Sequence, residues 1–364
     1  MSARLSIILT AIVFFSGQSW AASWQQAGSV QVSKEYDSNP TLNPANHIGI
    51  WRSGFNPSYT LTRTGDANVL NAGVALQVVR TSIKTLSQDR NDPSGFFDGL
   101  WQSDAGEFGL SAKYSKVATR IIEQDNRGSF FADGSSYSRA LSGRWSKTLS
   151  ERNTLSADGS YQGVSYKGGS LVNFVNQSVG SKFAHAWNDQ SMSFLSMSYV
   201  KYVPANGTVL QSFANALLGW NWKFADILEG TMQVGKYKTS AASSGTQGVV
   251  EMKYTGQRTE FMLNANRQIT PSGLGGFVAI DQARGSWSYA LNERSNTGID
   301  LSWSTNRSFA DNTNRTARAW LLFNLNSYFV TRAFYQHRTS ERGGVGTATS
   351  TMLGISLAFT HTDF

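Results

Sequence analysis

Cysteine is absent from the 364-residue chain. That excludes a disulfide scaffold, a thiolate metal site and a cysteine nucleophile together. Proline is scarce, at 6 residues, and charged residues make up only 15%, short of the roughly 25% usual in soluble domains. Long apolar runs are also missing, apart from one near the N-terminus, which excludes a bundle of membrane helices. Glycine is plentiful, at 34 residues, and aromatic side chains reach 12%. Few charges with many glycines and aromatics suit a chain that crosses a membrane as strands.

The one apolar run, LSIILTAIVFF at 5–15, follows Arg4 and precedes Ser19, Trp20 and Ala21. A positive start, an apolar stretch too short to span a bilayer and small residues at the end predict a signal peptide over 1–21, cleaved after Ala21. Residues 22–364 then form one domain. Cleavage removes Arg4 and no acid, which lowers the formal charge of +8 by one.

The remainder shows no linker and no low-complexity segment. Short alternating stretches recur between polar turns, with the period of two that marks strands. Phe108, Leu110, Ala112 and Tyr114 alternate with Gly109, Ser111 and Lys113. Ala214, Ala216, Leu218, Trp220 and Trp222 alternate with Asn215, Gly219 and Asn221. The apolar phase carries aromatics near its ends, while the other phase is glycine, serine, asparagine and single charges, as expected for lipid outside and water inside. These stretches predict an all-β fold: a closed antiparallel transmembrane β-barrel of about 18 strands. The stretches at 94–103 and 278–290 alternate poorly, which leaves 16 as the alternative count. Connections at 65–66, 104–106, 151–153, 188–190, 256–257 and 293–294 read as tight turns. The intervening ones, at 38–47, 87–93, 121–136, 204–208, 241–247, 310–314 and 341–348, are mostly longer. Short and long connections therefore alternate, which puts both termini on one side of the membrane. In the last strand Leu353, Ile355, Leu357 and Phe359 share a phase that the terminal Phe364 does not. Either a bulge restores that phase or the strand ends at Phe359.

Eighteen strands about 4.8 Å apart enclose a backbone diameter of roughly 35 Å, wide enough for an aqueous channel. The non-lipid phase places Arg52, Lys113, Arg144, Lys182, Lys223, Lys253, Arg284, Arg318 and Arg332 inside, with Glu35, Asp158, Glu229, Glu251, Glu260 and Asp300. A lumen tilted positive in this way enriches anions, although each charge also serves simply to hydrate and brace the wall. Trp320 shares the inner phase with Arg318, whereas most of Trp51, Trp101, Trp145, Trp187, Trp220, Trp222, Trp287 and Trp303 fall on the lipid phase near strand ends, as interfacial girdles do, the alternative being rings that stack on sugars. The longest loop, at 121–136, carries Glu123, Asp125, Arg127 and Asp133 and is the candidate constriction, the alternative being an ordinary surface loop. His47, His185, His337 and His361 form no triad or metal spacing, so neither an enzyme nor a cofactor is expected. Basic residues are dispersed along strands rather than clustered, which argues against a nucleic-acid partner.

Four segments carry a family resemblance: KEYDSNPTLNP at 34–44, NPSYTLTRTGD at 56–66, RNDPS at 90–94 and EFGLSAKYSKVATRIIEQDNRG at 107–128. They resemble the outer-membrane β-barrel porins associated with exopolysaccharide biosynthesis and export loci, most densely over residues 30–170. The resemblance implies a bacterial outer-membrane barrel that serves as passive outlet for a secreted exopolysaccharide. Its expected partners are outer-membrane lipid, the polysaccharide in transit, a periplasmic export protein and the barrel assembly machinery. It transfers no catalytic residue. The residues alone leave two further readings, a general or anion-preferring diffusion porin for small nutrients and a structural or adhesin barrel.

Overall fold

The computed structural model describes residues 22–45, 47–119, 134–168, 171–205, 207, 210–240, 243–306, 312–344 and 346–362. The predicted signal peptide and Phe364 lie outside them. Eighteen strands follow one another: β1 (Ser23–Asp37), β2 (Ile50–Thr64), β3 (Asn68–Thr81), β4 (Arg90–Ser103), β5 (Gly106–Ala118), β6 (Ser135–Ser150), β7 (Asn153–Lys167), β8 (Phe174–Asn188) and β9 (Ser191–Pro204). Then come β10 (Gln211–Phe224), β11 (Leu228–Thr239), β12 (Ser244–Thr255), β13 (Thr259–Ser272), β14 (Gly276–Asn292), β15 (Ser295–Asn306), β16 (Asn312–Asn324), β17 (Phe329–Arg342) and β18 (Gly346–Thr362).

Each strand pairs antiparallel with its sequence neighbours, and β1 pairs with both β2 and β18, so the sheet closes on itself. Closure satisfies the backbone groups that hydrocarbon cannot and leaves no sheet edge. Both poorly alternating stretches are strands, β4 and β14, which fixes the count at 18. β18 pairs with β1 through Thr362 without a register shift, so the strand does not end at Phe359.

Alternation decides which side chain faces where. Leu218 is 62% exposed on β10, and Val74, Leu141, Val179, Val234, Leu301 and Ile355 share this outward apolar phase on their own strands. Trp51, Trp101, Trp145, Trp187, Trp220, Trp222, Trp287 and Trp303, most of them expected there, are all on that phase. Six of them, Trp101, Trp145, Trp187, Trp220, Trp222 and Trp287, lie near the tight turns, with the Trp187 and Trp220 rings stacked at 6.2 Å. At the hairpins β6–β7, β8–β9 and β14–β15 the register shifts beside the turn, at 148/150, 186/188 and 290/292. Such bulges let short loops match the twist of the flanking strands. In β2, Pro57 has no N–H to donate, and pairing with β3 is interrupted between Phe55 and Ser58.

Candidate functional site: the lumen and its outer mouth

The inward phase holds every lumen residue named from the sequence. Arg52, Lys113, Arg144, Lys182, Lys223, Lys253, Arg284, Arg318, Trp320 and Arg332 sit opposite the apolar phase on β2, β5, β6, β8, β10, β12, β14, β16 and β17. They are not gathered at one point but line the wall around its circumference. Glu123, Asp125, Arg127 and Asp133, the candidate constriction, lie outside the described residues.

A cavity of about 1290 Å³ runs up the inside from the β8–β9 turn. Its polar lining includes Lys223, Glu229, Glu251, Lys253, Arg284, Asp300, Arg318 and Arg338. Acids concentrate on the β11–β13 side and arginines on the β14–β17 side, where cations lie against rings. Arg318 stands 4.6 Å from the Phe334 ring and donates to Gln336 Oε1 at 2.8 Å. Arg332 stands 5.0 Å from the Trp320 ring, and Lys182 on the opposite wall 3.8 Å from Phe194. A guanidinium on an aromatic face is held without a carboxylate and keeps its charge available to solutes. By contrast Arg144 meets Glu107 at 3.3 Å, Lys253 meets Glu260 at 3.6 Å and Asn264 donates to Glu251 at 2.6 Å.

The positive tilt is smaller than the sequence reading had it. Arg90, Arg338 and Arg342 join the inner phase, but so do Asp37, Asp92, Asp98 and Glu107. Two of these acids are buried anchors at the outer rim. Asp37 accepts from Arg52 Nη1 at 3.1 Å, Arg338 Nη2 at 2.9 Å, Ser350 Oγ at 2.6 Å and the Asn39 N–H at 3.2 Å. It joins β1, β2, β17 and β18 where the barrel closes. Asn39 then donates to Asn43 O and to Thr349 O, both at 2.9 Å, which folds the β1–β2 loop down upon β18. Leu42, at the bend of that loop, has φ +46° and is buried. Asp92 pairs with Arg90 at 2.8 Å and Lys116 at 3.3 Å, and Arg90 also donates to Gly134 O at 2.8 Å. The segments 34–44 and 90–94 thus build the roots of outer loops. On the next loop, the Thr81 N–H and the Lys84 ammonium hold the Asp89 carboxyl below the usual carboxylate range.

Across the mouth from the Asp37 knot lies a feature that sequence reasoning missed. β13 pairs with β12 only as far as Arg267, and β14 with β15 only beyond Ile280. Between these points the β13–β14 hairpin pairs with itself alone. Its tip reaches past β11 and β12 to strands β7–β10. Tyr202, fully buried on β9, donates its hydroxyl to Ser272 O at 3.0 Å. Val172 N–H donates to Gly273 O at 2.8 Å, and Gln211 Nε2 to Gly275 O at 3.1 Å. Gly275 has φ +97°, open to glycine and strained for other residues. Phe277 packs 5.8 Å from Tyr202 and 5.7 Å from Phe213, and Phe174 packs 4.9 Å from Tyr202. The result is an aromatic knot that narrows the outer mouth. Its signal in the sequence was the failed alternation of 278–290: Val278 and Ile280 are buried on the inward phase, while Phe277 on the other phase is packed as well.

No protein-family model matches the chain, and no curated protein matches it. Solved structures do. Crystal structures of OccAB4 and OccAB2 from Acinetobacter baumannii match with a TM-score of 0.51, at 9% and 10% identity, over 94% of this chain and 98% of each of theirs. The outer membrane protein opdK from Pseudomonas aeruginosa matches with a TM-score of 0.50 at 8% identity, over 94% of this chain and 99% of its own. At such identity the likeness is one of fold: the closed barrel of outer-membrane proteins.

Proposed function

We infer that the protein is a passive outer-membrane diffusion channel for small polar solutes, with a mild preference for anions. The arginine strip on β14–β17, of which Arg284, Arg318 and Arg338 line the cavity of about 1290 Å³, carries this reading, because Arg318 and Arg332 lean on rings and form no salt bridge among the described residues. Support also comes from a barrel of like fold, OpdK of Pseudomonas aeruginosa, solved with vanillate, a small aromatic carboxylate (TM-score 0.50, 10% identity). Transport needs no energy source here. Solutes diffuse through a hydrated path whose fixed charges bias entry.

The passive outlet for an exopolysaccharide is the second reading, favoured by Trp320, Phe334 and Phe194 as lumen rings on which sugars stack. Two observations weigh against it. One face of each ring is already taken by a cation, and the aromatic knot narrows the mouth through which a polymer would thread. Planar-bilayer recording in a salt gradient tests the first reading. Discrete steps with a reversal potential of anionic sign are expected. Cation preference overturns the anion bias, and failure to conduct overturns the channel. Loss of surface polysaccharide on gene deletion, with solute uptake intact, would instead establish the outlet.

A further inference from the structure

The outward face of the barrel carries charge where hydrocarbon should follow. At the outer ends of β6, β7, β9 and β11, Arg139, Lys167, Lys201, Lys236 and Lys238 occupy the same phase as Leu141, Tyr161, Tyr199, Leu218 and Val234. The register fixes this: Arg139 lies opposite Gly163, Lys201 opposite Ser212, and Lys236 and Lys238 opposite Ala216 and Ala214. Lys167 ends β7, Lys238 stands one residue from the end of β11, and Lys201 three from the end of β9. The acids of strands β5 to β11 are Glu107, Asp158 and Glu229, and all three are on the inner phase. Among the described residues no carboxylate pairs with any of the five cations.

The same level of the wall looks different farther round. On β13 Arg267 binds Asp281 of β14 at 2.5 Å and 2.7 Å, and on β16 Arg315 binds Glu341 of β17 at 2.7 Å. Those cations carry their own counter-charge and the five on β6–β11 do not. A lone lysine or arginine on the lipid side is tolerated only near the interface, where an anionic headgroup can meet it. At the turn ends of the same stretch of wall, Trp145 on β6, Trp187 on β8 and Trp220 and Trp222 on β10 occupy the outward phase, with Lys147 as the cation beside them. The patch has room as well: a Cβ at Gly163, beside Arg139, would meet nothing within 4 Å. Lys167 also lies 5.3 Å from the Tyr137 ring, which sets its ammonium at the aromatic rim of the membrane.

We propose that this face is a docking surface for the phosphate groups of an anionic glycolipid in the outer leaflet. The phosphates supply the acceptors that the protein withholds, and the acyl chains lie along the apolar phase below. The proposal rests on the placement of the barrel in the outer membrane and not on what passes through the lumen. The test uses the folded protein in phosphatidylethanolamine vesicles containing either bis-phosphorylated lipid A or the same lipid A stripped of phosphate. Native mass spectrometry of the released protein counts the glycolipid retained. The wild type should retain the phosphorylated form at least roughly tenfold more, since each basic side chain near an anionic surface contributes about a factor of five. K201Q/K236Q/K238Q together should remove most of that preference, and R267Q/R315Q should leave it. Equal retention of the two lipids by the wild type overturns the proposal, a comparison that needs no variant to fold. Equal preference in the wild type and the triple variant overturns it too. Conductance should not change in either variant, so failure here is distinct from failure of the channel reading.

Discussion

Two knots stand at the outer mouth on opposite sides, and they are built of opposite materials. At the seam, Asp37 gathers Arg52, Arg338 and Ser350 into a polar knot shielded from water. Opposite, Phe174, Tyr202, Phe213 and Phe277 form an apolar knot around a folded-in hairpin. Directional, charge-assisted bonds fix the geometry of the first, so it sets register where the two ends of the chain meet. Apolar packing is non-directional. The second lacks ladder partners on either side of its hairpin, and ring packing with hydrogen bonds from Tyr202, Val172 and Gln211 to its tip holds it against the wall. The seam is held by the ladder on both sides, and the hairpin by its tip contacts alone.

The most severe break of this comparison is Asp37→Ala. It strands two buried guanidiniums, and a loss of about 3–5 kcal/mol is expected, read by urea titration of the folded barrel. A loss below about 1 kcal/mol would show that water reaches the knot and that the seam is not fixed by it. Next, Phe277→Ala should cost about 1.5–3 kcal/mol, the burial of one aromatic side chain. It should also raise single-channel conductance, whereas Asp37→Ala at an intact barrel should not. Equal conductance with and without the Phe277 ring would mean that the hairpin does not limit the mouth.

Smaller effects lie deeper in the lumen. A unit charge about 10 Å from a solute in water contributes about 0.4 kcal/mol. Removing Arg318 and Arg332 with glutamines should therefore lower anion entry and raise cation entry about twofold each, and so lower the anion-to-cation permeability ratio by a factor of about four for each charge at low salt. The reversal potential reports it, and no shift would detach the arginine strip from selectivity. Smallest of all is Lys253→Ala. Its partner Glu260 is 3.6 Å away and both side chains are well solvated, so the change should stay under about 1 kcal/mol. A large loss in thermal unfolding would mean that lumen pairs carry the barrel as the buried knot does.

Much of this was legible one residue at a time. Alternation placed Arg284, Arg318, Trp320 and the acids Glu229 and Asp300 on the correct face because a strand has only two faces. The tight turns stood out as one end of the barrel because Asn, Asp and Gly cluster there. The hairpin of β13 and β14 was not legible, since a segment packed on both faces has no period to read. The roles of Asp37 and Asp92 were hidden as well. Their motifs stood out, yet Asp37 meets Arg338 and Ser350 some 300 residues away in the chain, and Asp92 meets Lys116 across the β4–β5 hairpin.

The sequence by itself determined a closed barrel of about this strand number, the inner phase of the lumen charges it singled out, and tryptophans on the lipid phase near strand ends. Those are consequences of a period of two and of an apolar solvent, and both act locally. Only the tertiary structure decided which charges are spent on each other. It set Asp37 between two arginines, gave Arg267 and Arg315 their own carboxylates, and left Arg139, Lys201, Lys236 and Lys238 facing outward without one. Neutralisation depends on distances across strands and around the closed wall, and those exist only once the ends of the chain have met.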